Sequence, residues 1–140
     1  MSEQNVAMVR AMFAANEQFA GEKAALLDAL PGLMAQVCTE DIEWREAPER
    51  VDSRTRHGHD EVVESFRTWL AGWDEYETDL KDAEDHGDCV LAKVHESGRA
   101  GGSGAQVDGM IYVVVTFRDG KVCRYEEFYD EDAARRAASA

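Results

Sequence analysis

The most regular alternation of apolar and polar positions lies in residues 110–129, MIYVVVTFRDGKVCRYEEFY. Residues 110–117 are rich in Val, Ile, Tyr, Phe and Thr, which suit a pleated, half-buried surface. Asp119-Gly120 follows, a strong hairpin signal because such turns need positive φ. Residues 122–129 then alternate, with Val122, Arg124, Glu126 and Phe128 on one face and Cys123, Tyr125, Glu127 and Tyr129 on the other. A carboxylate between two tyrosines is unusual for a plain core, and it marks that face as the first candidate site.

The rest of the chain supplies helices first and strands later. Val6, Val9, Phe13 and Asn16 recur at spacings of three and four and predict a helix ending near Phe19 and Gly21. Leu26, Leu27 and Leu30 carry a second helix, which Pro31-Gly32 is expected to break, with a short third turn over 33–38. Residues 41–45 read as a short strand closed by Glu46-Ala47-Pro48, and 49–57 as a charged loop. Val62, Val63, Phe66, Trp69, Leu70 and Trp73 form the apolar stripe of a helix over 60–73. Strands are expected over 76–84 and 89–96, then a glycine-rich loop over 97–105, and a short helix over 133–138. Helices gathered in the first half and a meander in the second give an α+β class: a cone-shaped, curved antiparallel sheet wrapped by N-terminal helices, in one domain over residues 1–140. Such a cone has an open mouth, a common place for a ligand cavity.

Charge narrows the partners. The chain carries 29 acidic against 15 basic residues, a formal net charge of −14. Nucleic-acid binders need a basic footprint, and anionic membrane surfaces attract basic segments, so neither partner is expected. A small hydrophobic molecule is compatible with this charge. No apolar run approaches the roughly 18 residues of a membrane span, and no signal peptide is expected before the first helix. Cys38, Cys89 and Cys123 are widely spaced and odd in number, so they read as reduced thiols of a cytoplasmic protein rather than a disulfide framework. No spacing suits a metal. The glycines of 97–105 join strand to strand with no helix to follow, so they do not read as a phosphate loop.

Several short motifs, in order, carry a resemblance. They are Asp41-Ile42-Glu43-Trp44, Gly58-His59-Asp60-Glu61-Val62, Gly87-Asp88-Cys89-Val90, the Gly98 to Gly104 loop, Arg118-Asp119-Gly120-Lys121-Val122, and Tyr129-Asp130 with Ala133. Together they resemble the SnoaL-like polyketide-cyclase family of the nuclear transport factor 2-like, ketosteroid isomerase-like superfamily. That superfamily holds isomerases, cyclases, epoxide hydrolases, dehydratases and non-enzymatic binders, so the resemblance implies fold before reaction. Ketosteroid isomerases pair an Asp base with an oxyanion hole of Tyr and protonated Asp. By that register the base falls at Glu46, the Tyr near Phe13 and the protonated Asp at Val113. Both oxyanion donors are missing, so that chemistry as the isomerases perform it is not expected.

The register carried over from the isomerases implies a different polar set. It turns Tyr125, Glu127 and Tyr129 inward, with Ile111, Val113, Val115 and Phe117 on the central strand and Leu91, Lys93 and His95 on the strand before it. Glu46 stands at the side, and Trp44, Phe66 and Trp69 supply walls. Glu127 or Glu46 would be the base, Tyr125 or Tyr129 a hydrogen-bond donor and His95 a proton shuttle; Lys93 is also a natural partner for Glu127. Each has a plainer reading: Glu46 as a solvated turn carboxylate, Glu127 as a buried anion satisfied by its neighbours, His95 as an exposed strand residue, and Trp69 as core. Two functions follow. One is a cofactor-independent isomerase, cyclase or hydrolase acting on a small polyketide-, steroid- or terpenoid-like molecule. The other is a non-catalytic carrier or sensor, with a dimeric interaction module as the fallback. A homodimer is expected through the outer sheet face, where Tyr112, Val114 and Phe128 would otherwise be exposed.

Overall fold

The structure is a computed structural model that describes residues 2–19, 21–50 and 52–139. Two helices open the chain, α1 (Ser2–Gln18) and α2 (Lys23–Val37). They lead into β1 (Cys38–Arg45), β2 (Thr55–His57) and α3 (Gly58–Ala71). Four strands follow, β3 (Glu75–Asp85), β4 (Cys89–Arg99), β5 (Gln106–Arg118) and β6 (Lys121–Phe128), before α4 (Glu131–Ser139). The six strands form one sheet in the order β2-β1-β6-β5-β4-β3. Most pairings are antiparallel, but β1 runs parallel to β6, so the α+β sheet is mixed rather than wholly antiparallel.

The β5–β6 hairpin turns at Asp119-Gly120, with φ of 54° and 80°. Both values are positive, as a two-residue turn matched to strand twist requires. Three other local expectations change. Pro31 does not break α2, because Leu26, Leu30 and Met34 bury one continuous face at four-residue spacing. That burial outweighs the hydrogen bond Pro31 cannot make, and its ring sits at an exposed position. The charged loop after β1 contains the short strand β2, paired to β1 through Trp44 and Arg56. A bulge at Cys123 shifts the register of β6, pairing Phe117 with Val122 and Thr116 with Arg124. Val122 therefore joins the inner core beside Tyr125 instead of facing outward.

The sheet has two apolar faces. The inner one holds Val90, Ala92, Val94, Ile111, Val113, Val115, Phe117, Val122 and Tyr125, packed against α1, α2 and α3. The outer one holds Cys89, Leu91 and Val114, covered by Ala134 and Ala138 of α4. This places Leu91, Lys93 and His95 on the outer face, opposite to expectation. The ladder shows why: Ala92 opposes Val113, which opposes Glu127, and directly opposed residues share a face. The outer layer also corrects the ground for a dimer. Val114 is sealed under the chain's own α4, and Tyr112 and Phe128 are already partly buried against it.

Candidate functional site

Between the inner sheet face and the helices lies a cavity of about 690 Å³. Its walls are aliphatic from α1 and α2, through Met8, Met12, Leu26, Leu30 and Met34. They are aromatic from the other elements, through Trp44, Phe66, Trp69, Tyr76 and Tyr125, with Phe13 beside them. Trp44 stacks on Tyr125 at 3.7 Å between centroids and meets Phe66 edge-on at 5.3 Å. Trp69, Trp73 and Tyr76 form a second aromatic group, with centroids 5.5–6.1 Å apart. Gly98 makes room for it: a Cβ there would lie 2.9 Å from the Glu75 carbonyl oxygen and 3.0 Å from the Tyr76 ring.

One buried polar knot interrupts this apolar lining. Arg50, from the β1–β2 connection, donates from Nη1 to Glu127 at 2.9 Å, from Nη2 to Glu96 at 3.3 Å and from Nε to the Tyr129 hydroxyl at 3.1 Å. Its guanidinium lies 4.0 Å over the Trp69 ring. Glu96 is fully buried and also accepts from the hydroxyls of Tyr76, at 2.5 Å, and Tyr129, at 2.7 Å. With three donors it is a satisfied anion. Glu127 differs. It lines the cavity, and burial pushes its carboxyl up to about 7. The attraction of Arg50 opposes that rise, while the charges of Glu96 and Glu46 add to it. The knot therefore holds two carboxyls against one guanidinium, and burial raises that of Glu127 toward neutrality. Burial also raises Tyr125 and Tyr76 far above the usual phenol range and Tyr129 to about 12, so all three are hydrogen-bond donors at neutral pH.

The expected site residues divide accordingly. Glu127 and Tyr125 line the cavity with Phe13, Trp44, Phe66 and Trp69. Tyr129 reaches the same knot from the end of the strand face. Val113 and Val115 are buried in the inner core behind that lining. Glu46 stands aside: it accepts from Ser65 Oγ at 2.5 Å and from the Arg54 backbone N–H at 3.0 Å, and pairs with Arg56 at 3.5 Å. It fastens the β1–β2 connection to α3, while Ser65 itself reaches the cavity. Lys93 is not a partner of Glu127; it pairs with Glu84 at 3.1 Å on the outer face. His95 meets Asp108 at 2.6 Å on that same face and cannot shuttle protons into the cavity. Leu91 belongs to the outer core. Arg50, Glu96 and Tyr76 were not expected. Glu96 had a sequence signal, since it continues the Val90, Ala92, Val94 face by steps of two. Arg50 had none, because its partners lie 46 to 79 residues away. Among the described residues no cluster of His, Cys, Asp or Glu suits a metal ion.

A curved sheet wrapped by helices around an apolar cavity defines an α+β protein of the nuclear transport factor 2-like class. The model of the SnoaL-like domain matches residues 9–125, and the chain belongs to that family. Among solved structures, an NTF2-like protein of unknown function from Burkholderia pseudomallei is 21% identical, with TM-score 0.74 and 98% of each chain covered. An NTF2-like protein from Burkholderia xenovorans is 26% identical, with TM-score 0.69, covering 99% of this chain and 98% of its own. A protein from Jannaschia sp., provisionally assigned as a SnoaL-like polyketide cyclase, is 21% identical, with TM-score 0.72, covering 99% and 94%. No curated protein matches the chain. Among the described residues no helix is long and apolar enough to cross a membrane.

Proposed function

We propose that the protein binds a small, largely apolar molecule of polyketide, steroid or terpenoid size in the cavity and exchanges a proton with it through Glu127, without a cofactor. The observation that carries this reading is a cavity-lining carboxyl held near neutrality by its own burial. A carboxyl tuned this way serves as base when ionised and as acid when protonated, work that typically contributes about 10²–10⁴-fold. Tyr125 is the hydrogen-bond donor beside it. The reaction classes that fit are isomerisation, cyclisation, dehydration and epoxide opening. The three free thiols support a reducing, cytoplasmic setting.

A carrier or sensor is the second reading, favoured by the Arg50–Glu127 pair and by apolar Val113 where an isomerase places its second acid. One experiment separates them. Hydrophobic ligands are screened by calorimetry against wild type and Glu127→Gln, and each binder is incubated with both proteins and followed for chemical change. Conversion by wild type that falls at least a hundredfold in Glu127→Gln supports the enzyme. Binding with no conversion of any ligand, in either protein, supports the carrier.

A further inference from the structure

The mouth of the cavity is acidic. Glu17, Asp74, Glu77 and Asp79 are all exposed and line it. Asp79 is paired with exposed Lys81 at 2.7 Å and has Glu17 beside it, so the mouth keeps a net acidic balance. The two cations that line the cavity among the described residues, Lys23 and Arg50, are both already engaged. Lys23 Nζ donates to the carbonyls of Leu70 and Trp73, closing the last turn of α3. Arg50 is held by Glu127, Glu96 and the Tyr129 hydroxyl, and is covered by Trp69. An incoming anion would pass four carboxylates and then have to displace Glu127 or Glu96 from Arg50. An incoming ammonium meets an attractive field at the mouth, and at the floor the charge of Arg50 is already offset by its paired carboxylates, Glu127 and Glu96. The ammonium enters past the carboxylates of the mouth, passes the Tyr76 ring, and finds Glu127.

We propose that the cavity takes an apolar ligand bearing a protonated amine, with its ring body against Trp44, Phe66 and Tyr125 and its nitrogen beside the Glu127 carboxylate. This rests on the reading of the cavity as a small-molecule site and adds the chemical class of the ligand. The cation also has a consequence for chemistry: beside Glu127 it holds the carboxyl ionised, so the substrate itself keeps the base in its reactive form.

The test compares three probes of one shape by titration calorimetry at pH 7.0: 2-naphthylmethylamine, 2-naphthylmethanol and 2-naphthoate. The amine is expected to bind at least tenfold tighter than the alcohol, and the carboxylate at least tenfold weaker. Amine binding should release protons to the buffer, seen as a heat that changes between buffers of different ionisation enthalpy; the alcohol should not. In Glu127→Gln the ratio of amine to alcohol affinity should fall below threefold. The exposed double variant Glu77→Gln/Asp79→Asn should narrow the gap between amine and carboxylate in an otherwise intact fold. If the alcohol binds but the amine has no advantage, or the carboxylate binds as well as the amine, this proposal fails and the small-molecule reading stands. If none of the three binds, both fail together.

Discussion

Arg50 and Glu127 meet at 2.9 Å across 77 residues of sequence, and through that contact an otherwise irregular connection becomes part of the cavity floor. The pair is almost closed to solvent, with side chains 11% and 10% exposed. Arg50 also bridges to Glu96, so among the described residues it is the one cation paired with both buried acids. Burial works against its charge, but Glu127 and Tyr129 hold its proton more firmly than usual.

Removing that cation strands the acids. Arg50→Ala is expected to destabilise the protein by about 3 kcal/mol, the lower end of what breaking a buried ion pair costs, because Glu127 can take up a proton and Glu96 keeps two tyrosine donors. Arg50→Lys should recover only part of the loss, since an ammonium cannot present three donors in one planar fork. Denaturant melts of the three proteins at one pH decide this. An Arg50→Ala protein within 1 kcal/mol of wild type would show that the knot is not holding the connection in place.

The same knot sets a pH dependence. The Glu127 carboxyl is raised from about 4.5 to about 7 in the folded state. The folded protein then binds more protons than the unfolded chain between these values. Its stabilising contribution is complete below the lower value and is lost as pH rises through the upper one. The span corresponds to roughly 3 kcal/mol as an upper figure. Stability measured from pH 5 to 8 should therefore fall for wild type, and the fall should flatten in Glu127→Gln. Equal slopes in the two proteins would place the titration elsewhere.

The inner face of β5 and β6 was legible because its apolar run and its turn are local. The face of β4 was not, since Leu91 and Val90 are both fully buried and alternation cannot tell two cores apart. Leu91 is buried only because α4 folds back over the outer sheet, a contact made some 45 residues later. The reading of Lys93 and His95 as cavity groups failed with that register, and the ground for a dimer narrowed with it, since α4 covers Val114 and leaves Tyr112 and Phe128 only partly buried. Glu46 is occupied by Ser65, the Arg54 backbone and Arg56. Arg50 stayed invisible because a salt bridge across the sheet leaves no trace in neighbouring residues.

The attachment of α4 is itself testable. Arg135 donates to both oxygens of Glu84, at 3.0 and 3.1 Å, and to Glu131. These contacts, with Lys93, hold the Glu84 carboxyl down to about 2. The pairs are solvent-accessible, so the effect on global stability is small, under about 1 kcal/mol. Local opening is the better measure. Arg135→Ala should speed hydrogen exchange along residues 131–139 and leave β5 protected. Unchanged exchange in α4 would mean that Ala134 and Ala138 alone hold it.

That opening also governs the thiols. Cys38 and Cys89 are buried, and Cys123 is half-buried at the bulge. Burial pushes the Cys38 thiol up to about 11 and raises Cys89, where nearby Glu126, Asp88 and Asp85 add to the rise. Thiolate is the reactive form, so both should react slowly with a disulfide reagent at pH 8, while Cys123 reacts first. Cys89 also lies against α4, its Sγ 3.3 Å from the Ala138 carbonyl oxygen. Loosening α4 should therefore expose Cys89 selectively. In Arg135→Ala a second thiol is expected to become reactive several-fold faster than in wild type, with Cys38 unchanged, and all three should titrate once the chain is unfolded. Mass mapping of the labelled residues identifies which one moved. Acceleration at Cys38 instead would mean that the variant loosens the inner core, and that α4 is not separable from it.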